Sequence, residues 1–509
     1  MAQGRLFGRI RRPSQDQIRD LAAMEYIYLT DAEVLEFEDV IDESLKLIDR
    51  LDELPMPEII VKYTDRDKGY VPSPEENPYN SFIRKCMIKG APSGKLSGKT
   101  VGVKDNLRVA GVPMTNASTL LHGYVPDVDA TVVERLLDAG AIIVGKLNMD
   151  DFAAAGTGET SVYGPPKNPR NTDYSAGGSS GGSGAAVAAG EVDIALGVDE
   201  GGSGRIPAAW CGVTSIKCTH GLVPSFGLTY MDHTLDNICP TARTVEEVAL
   251  TLEVIAGDDP KDPQWVRGQI PVEEYTQELK KDISGLRLGV VRESMSWDVA
   301  EADVTNAVEV GIKKLQSLGA SCKEVSVPFW QDSWAIWNGF ASHSASAMIE
   351  SDLEGYWRGG MCDVRWQQAF GHARRVNSSS FPPSLKVWMV MGKYLRREYS
   401  NIYFSKAQNL RFAMTQQMDS LFDEVDVLVT PTIPFKAHKL WTTPPTLKEF
   451  APRASSMVQN TAPTNVTGHP SLSVPCGVGD HGLPIGIQFI GKKFDESRIL
   501  RVGYALEQS

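Results

Sequence analysis

The stretch GGSSGGSGAAVAAG at residues 177–190 interleaves serines with glycines immediately before an alanine-rich run. Glycines let another group approach the backbone closely, and an alanine-rich run favours a helix. Three kinds of structure fit such a stretch: a phosphate cradle, the site of a serine nucleophile, or close packing alone. The rest of the chain has to distinguish them.

A phosphate cradle is disfavoured by the residues around this stretch. A dinucleotide-binding loop needs an apolar strand before it, but residues 168–175 are polar, and no G-K-[S/T] ending of a nucleotide loop is present. GGSSG also matches the G-x-S-x-G elbow of serine hydrolases, which works with a downstream acid and histidine. None of the eight histidines has distinctive neighbours. A histidine-dependent serine hydrolase remains an alternative at this stage.

A second serine segment, VDEGGSGRIPAAWCG at residues 198–212, has a nucleophile's surroundings. Gly201 and Gly202 precede Ser203, so several backbone N–H groups could converge on one point beside its hydroxyl, as in an oxyanion hole. A serine hydroxyl is a weak nucleophile and needs a base. Lys104 directly follows the short apolar stretch VGV at residues 101–103, which reads as a strand, and burial there would lower its pKa from about 10.4.

The order of predicted elements indicates an α/β fold. VGVKDN and AIIVGK read as strands on either side of the helix ATVVERLLDAG, which would end at Gly140. The same order recurs at LRLGVVRE, TNAVEVGIKKLQSLGA and SCKEVSVP, and DVLVTPTIP near residue 426 is another apolar strand. Strand, helix and strand in succession predict a sheet with helices on its faces.

The N-terminal residues are predicted to form a separate helical segment. Residues 14–53 carry apolar side chains at helical spacing, and Thr30 with Glu33 fits a capping box. The proline-rich stretch between Tyr70 and Tyr79 reads as a connector. We therefore expect a helical segment at residues 1–75 and a main domain at 76–509. The amphipathic pattern makes the segment a candidate for homodimerisation.

Six of the ten tryptophans fall between residues 330 and 388, within a variable region at about 325–425. They are Trp330, Trp334, Trp337, Trp357, Trp366 and Trp388. Such a cluster indicates either a locally packed helical region or the wall of an apolar pocket. Core packing is the more common of these two roles.

Composition narrows the class of partner. The formal net charge of −13, with 51 basic and 64 acidic residues, disfavours attraction to nucleic acid or anionic membranes. Seven cysteines without paired spacing fit a reducing, cytoplasmic compartment. No metal motif such as H-E-x-x-H occurs, and we expect neither a metal nor another cofactor. A small-molecule substrate is compatible with this composition.

Six sequence blocks in this order resemble the amidase signature family, over roughly residues 70–507. They are GVKDN at 102–106, GKLNMDDFA at 145–153, GGSSGGSGAAVAAG at 177–190, DEGGSGRIPAAWCG at 199–212, ARTVEEVA at 242–249 and NVTGHPSLSVP at 465–475. The resemblance implies a large mixed central sheet covered by helices on both faces. The N-terminal segment looks like that of bacterial amidases associated with nitrile degradation.

The resemblance also implies a catalytic triad at matching positions. Ser203 would be the nucleophile, Ser179 a bridging serine on a cis peptide bond, and Lys104 the base. The backbone N–H groups of Glu200, Gly201, Gly202 and Ser203 would form the oxyanion hole. Three further residues, Ser180, Asp199 and Arg205, would support the site through hydrogen bonds or an ion pair.

The expected activity is hydrolysis of small aromatic or hydrophobic amides to a carboxylic acid and ammonia or an amine. Carbamate or hydrazide hydrolysis and the amidase-like subunit of an aminoacyl-tRNA amidotransferase are the alternatives; a catalytically inactive binding scaffold is a remote one. Four residues depart from the family pattern: Gly204, Ser215, Cys218 and Cys239. We expect Gly204 to enlarge the pocket beside the nucleophile and Cys239, at a usual glycine position, to put a left-handed backbone conformation in doubt.

Overall fold

A computed structural model describes residues 10–264, 270–356 and 358–509 of the chain. The chain divides into two compact units, one ending at Ile60 and the other beginning at Val61. Helices α1 to α15 span Gln15–Met24, Asp31–Glu53, Thr131–Asp138, Gly181–Ala188, Arg205–Cys211, Val245–Ile255, Tyr275–Glu278, Ala302–Ser317, Ser333–Glu350, Val364–Asn377, Pro383–Tyr399, Ile402–Leu421, Leu447–Ser455, Ala462–Thr467 and Glu496–Glu507. Strands β1 to β11 span Phe82–Lys89, Thr100–Lys104, Ile142–Leu147, Ile194–Asp199, Thr214–Lys217, Asn237–Ala242, Arg287–Val291, Ser321–Val325, Val427–Pro431, Ser471–Val478 and Pro484–Ile490.

The N-terminal unit contains helices α1 and α2. The helical segment predicted at residues 14–53 is broken between Met24 and Asp31, and each helix begins with its own capping box. The predicted box of Thr30 and Glu33 is confirmed, since each side chain bonds the backbone of the other. Val34 is buried, whereas Phe37 is 42% exposed. The apolar face predicted on α2 is thus only partly covered.

The second unit is built on one mixed sheet of eleven strands, which confirms the predicted α/β fold. The strand order is β1-β3-β2-β4-β6-β5-β10-β11-β9-β7-β8. Strand β2 pairs in parallel with β3 and β4, and β7 pairs in parallel with β8 and β9, while the remaining pairs are antiparallel. Helix α3 ends before Gly140, whose φ of 87° is typical of a helix C-terminus.

Strand β4 lies at the centre of the fold. All six of its residues are buried, and its last residue, Asp199, leads directly into the second serine segment. Lys104 ends the neighbouring parallel strand β2. Because parallel strands end at the same edge of a sheet, Lys104 and the segment after Asp199 lie close together. Within the described residues, no helix has the length and apolar character needed to cross a membrane.

Candidate active site

Lys104 lies fully buried at the end of β2 and contacts the first serine segment. Its Nζ donates a hydrogen bond to Ser179 Oγ at 2.7 Å and a longer one, at 3.4 Å, to the carbonyl oxygen of Val198. Burial lowers the pKa of Lys104 to about 8, against the opposing field of nearby carboxylates such as Asp150. The neutral amine is therefore accessible near physiological pH.

The segment that carries Ser179 needs its glycines because other groups approach it closely. The peptide bond between Gly178 and Ser179 is cis. A Cβ at Gly178 would lie 2.0 Å from Asp150 Oδ2, and Gly177 has a φ of 82°. Helix α4 begins only at Gly181. The stretch is therefore an irregular turn, packed against neighbouring backbone and side chains, that leads into a helix.

Ser203 lies in the loop between β4 and α5. Its carbonyl oxygen accepts a hydrogen bond from the N–H of Ser180 at 3.2 Å, which joins the two serine segments. Ser203, Ser179 and Lys104 line the same small cavity. No hydrogen bond joins the hydroxyl groups of Ser203 and Ser179 in the part of the chain that the structure describes.

The loop before Ser203 has free backbone donors. Among the described residues, no group accepts a hydrogen bond from the backbone N–H of Gly201, Gly202 or Ser203. The loop is held from its other side: Thr461 Oγ1 donates to the carbonyl oxygen of Gly201 at 2.6 Å, and Trp337 Nε1 donates to that of Glu200 at 3.3 Å. These contacts fix the carbonyl groups and leave the amides available.

Asp199 and Arg205 form a buried ion pair beneath the loop. Arg205 Nε and one terminal nitrogen donate to the two carboxylate oxygens of Asp199 at 2.9 and 2.8 Å. Asp199 Oδ2 also accepts the backbone N–H of Gly204 at 3.2 Å. Burial opposes ionisation of Asp199, but the guanidinium of Arg205 outweighs it and lowers the pKa of the carboxyl to about 2.

Ser180 connects the first serine segment to β4. Its Oγ donates to the carbonyl oxygen of Val198 and accepts from the N–H of Val198, both at 3.1 Å. The same carbonyl accepts from Lys104. The structure thus brings together every residue that the sequence analysis assigned to the site.

A larger, mostly apolar cavity of about 570 Å³ adjoins the small one, and Glu200 and Ser203 line both. Its wall includes Trp334, Trp337, Trp388 and Phe450. The tryptophan cluster therefore divides between two roles, because Trp330 and Trp366 are fully buried core residues. Trp357 lies outside the described residues.

The expectation that Gly204 enlarges the pocket is wrong, whereas the doubt about a left-handed backbone at Cys239 is confirmed. Gly204 does not line either cavity that contains Ser203. It faces the interior, where an added Cβ would meet Cys239. Cys239 lies within strand β6 and has no positive φ, so its side chain is compatible with the backbone. Ser215 and Cys218 are buried in β5 and just after it.

Several residues around the site were not predicted as functional. Arg205 also donates to Thr464 Oγ1 at 2.7 Å, to Gln488 Oε1 at 2.8 Å and to Asn465 Oδ1 at 2.7 Å. Asn465 belongs to the block NVTGHPSLSVP, which was a usable signal. Gln488 stands in no such block, and only the pairing of β11 in the sheet brings it to Arg205.

Comparisons with known proteins agree with this geometry. The family model described as Amidase matches residues 83–500. The chain therefore belongs to the amidase signature family and is an amidase-signature enzyme.

Individual relatives include components of a larger enzyme. The chain is 38% identical over 478 residues to a glutamyl-tRNA(Gln) amidotransferase subunit from Geobacillus sp. (strain WCH70), covering 92% of this chain and 93% of that one. The crystal structure of a glutamyl-tRNA(Gln) amidotransferase subunit from Thermotoga maritima matches with a TM-score of 0.71 and 32% identity over 85% of this chain and 88% of that one. The native peptide amidase of Stenotrophomonas maltophilia matches with a TM-score of 0.66 and 28% identity over 82% and 83% of the two chains.

Proposed function

We propose that the protein hydrolyses amide C–N bonds through an acyl-enzyme on Ser203, with Ser179 and Lys104 as the proton relay. The observation that carries this proposal is the 2.7 Å contact between Lys104 Nζ and Ser179 Oγ in a fully buried site. Desolvation makes the neutral lysine accessible, and a neutral lysine can accept a proton from Ser179. No histidine among the described residues lines either cavity, which disfavours a histidine base.

The proposed reaction begins when Ser203 Oγ attacks the amide carbonyl carbon. Its proton passes to Ser179, whose own proton passes to Lys104. The backbone N–H groups of Glu200, Gly201, Gly202 and Ser203 stabilise the negative oxygen of the tetrahedral intermediate. Return of the proton to the nitrogen breaks the C–N bond and releases ammonia or an amine. Water then attacks the ester by the same relay and releases the carboxylic acid.

Asp199 and Arg205 support this reaction by fixing the loop. The carboxylate accepts the backbone N–H groups of Gly204 and Arg205 at 3.2 and 3.3 Å, directly after the nucleophile. Because misplacing a nucleophile by about 1 Å can cost on the order of 100-fold in rate, holding this loop contributes to catalysis without contact to substrate. Ser180 has the same supporting role on the opposite segment.

The relatives favour the amidotransferase alternative for the substrate. The matched region covers 92% of this chain and 93% of a protein named as a glutamyl-tRNA(Gln) amidotransferase subunit. On this alternative, the protein would release ammonia from an amide donor for use by a partner protein. Its activity would then depend on that partner.

The cavity favours a free-standing hydrolase of apolar amides. Its tryptophan and phenylalanine walls offer stacking and apolar contact to an aromatic or hydrophobic acyl group. Glu200, one of its few charged lining residues, is partly exposed, and the loss of solvation around its carboxyl raises the pKa well above its ordinary value. The core motifs do not separate amides from carbamates or hydrazides.

A substrate panel distinguishes these two substrate classes. The isolated chain is given benzamide, an aliphatic amide, L-glutamine, an aryl carbamate, an acyl hydrazide and a p-nitrophenyl ester, and release of ammonia, amine or nitrophenol is measured. Turnover of benzamide supports the free-standing hydrolase. Turnover of glutamine only when partner proteins copurify supports the amidotransferase component. Full activity of the Ser203→Ala or Lys104→Ala variant on any substrate would contradict the proposed relay.

We also propose that the N-terminal unit forms a homodimer contact. Helix α2 exposes several large apolar side chains: Leu35, Val40, Leu47 and Leu51 are between 54% and 74% exposed. Burying them against a second copy would be favourable. Light scattering is expected to give half the particle mass for a chain lacking residues 1–60. An unchanged mass would contradict the proposal.

A further inference from the structure

Gly204, the residue after Ser203, faces the side chain of Cys239. A methyl group added at Gly204 would lie 2.9 Å from Cys239 Cβ and 3.1 Å from Cys239 Sγ. Rotating the thiol cannot relieve the first contact, because the Cβ position is set by the strand backbone. Gly204 has a φ of −90° and a ψ of −45°, which other residues also adopt. Space, rather than backbone conformation, therefore requires glycine at this position.

Cys239 is held firmly in the sheet. It lies in β6 opposite Gly197 of β4, and its side chain is fully buried. Its thiol donates to the carbonyl oxygen of Asn237 at 3.7 Å. The N–H of Gly204 also donates to Asp199, the last residue of the neighbouring strand β4, at 3.2 Å. The hydrogen bond to Asp199 thus draws the loop towards the sheet, and the side chain of Cys239 limits how closely it approaches.

We propose that Cys239 is a positioning residue that sets the height of the Ser203 loop above the sheet through its contact with Gly204. This inference rests on the proposed role of Ser203 as nucleophile. It makes residues 204 and 239 a coupled pair, separated by 35 positions in the sequence, in which the size of one side chain determines the size that the other can have. Neither residue lines either cavity that contains Ser203.

The coupling has a specific consequence for variants. Gly204→Ala adds a methyl group where Cys239 already stands, so the loop must move and acylation should slow by roughly 100-fold. Cys239→Gly leaves a void behind the loop and should slow acylation by about tenfold. In the variant with both changes, the new methyl group occupies space that the thiol side chain vacated. Acylation should return to within about threefold of the wild-type rate, since the two changes compensate.

The experiment compares full-length wild type, both single variants and the double variant. The rate of covalent labelling by a fluorophosphonate measures the reactivity of Ser203 without knowledge of the natural substrate, and kcat and KM for a p-nitrophenyl ester are measured beside it. The expected losses fall on kcat, with KM unchanged. Cys86→Gly, a buried strand cysteine on the edge strand β1, is the matched control, and it should not relieve the effect of Gly204→Ala.

The outcomes separate this inference from the function on which it rests. Absence of labelling in wild type would refute Ser203 as the nucleophile, and the inference with it. If wild type is labelled normally and the rate loss of the double variant equals the product of the two single-variant losses, the coupling of residues 204 and 239 is refuted, while Ser203 remains the proposed nucleophile. If Gly204→Ala does not fold, the double variant must still label faster than Cys239→Gly; an equal or slower rate would overturn it.

Discussion

The pH dependence of amide hydrolysis follows from the environment of Lys104. Burial lowers the pKa of its ammonium group from 10.5 to about 8. At pH 7 the neutral fraction is then about one in ten, whereas a lysine with a pKa of 10.5 would be neutral in only about one molecule in 3,000. The fold thus raises the concentration of the proposed base roughly 300-fold.

We expect kcat/KM for an amide to rise about tenfold per pH unit as the pH approaches 8, and then to level, because only the neutral lysine accepts a proton. The activity is therefore lost as pH falls through the pKa of Lys104. Steady-state rates between about pH 6 and about pH 10 measure this profile and give the pKa as its midpoint.

Lys217 provides a matched control for this experiment. It is also fully buried with its pKa lowered to about 8 by burial, but its Nζ donates to the carbonyl oxygen of Cys218 at 2.9 Å. Lys217→Met should keep the rise in activity up to about pH 8, whereas Lys104→Ala should lose it along with most of the activity. A flat profile below pH 8 in wild type, or the same rise in Lys104→Ala, would refute the reasoning.

Three further variants test other parts of the site. Arg205→Met leaves the Asp199 carboxylate buried without its counter-charge, so urea unfolding should show a free energy of unfolding that is lower by about 3–5 kcal/mol. An unchanged melting temperature would argue against the ion pair. Ser180→Ala removes both 3.1 Å hydrogen bonds to Val198. Denaturation should show a free energy of unfolding that is lower by about 1–3 kcal/mol, and kcat should also be lower. Phe450→Ala removes part of the apolar wall and should raise KM for benzamide about tenfold, but not for acetamide; equal effects on both would contradict an aromatic subsite.

Features that depend on neighbouring residues could be predicted from the sequence. The capping box of Thr30 and Glu33 and the end of α3 before Gly140 involve residues within one helical turn. The α/β class was predicted from the alternation of strand and helix patterns along the chain, and each of these patterns also depends only on neighbouring residues. The break between α1 and α2 lies just before the predicted capping box of Thr30 and Glu33, which marks the start of α2.

The candidate site was predictable to the extent that its residues lie in recognisable blocks. Lys104, Ser179 and Ser203 were assigned from three such blocks, and the structure places them around one cavity. The tryptophans were harder, because core and cavity-lining tryptophans have the same sequence signature. Trp330 became a core residue and Trp388 a cavity wall only through the packing of their helices.

Local patterns and motif blocks were enough to assign the class of fold, the serine and lysine positions and the glycine-rich character of the turn. The folded chain was needed to show that Gln488 reaches Arg205 across 283 positions and that Gly204 faces Cys239. Such contacts depend on strand order and helix packing, which arise from the whole chain at once and leave no local pattern. The sequence suggested that Gly204 widens the substrate pocket. In the structure, Gly204 instead leaves room for the buried side chain of Cys239.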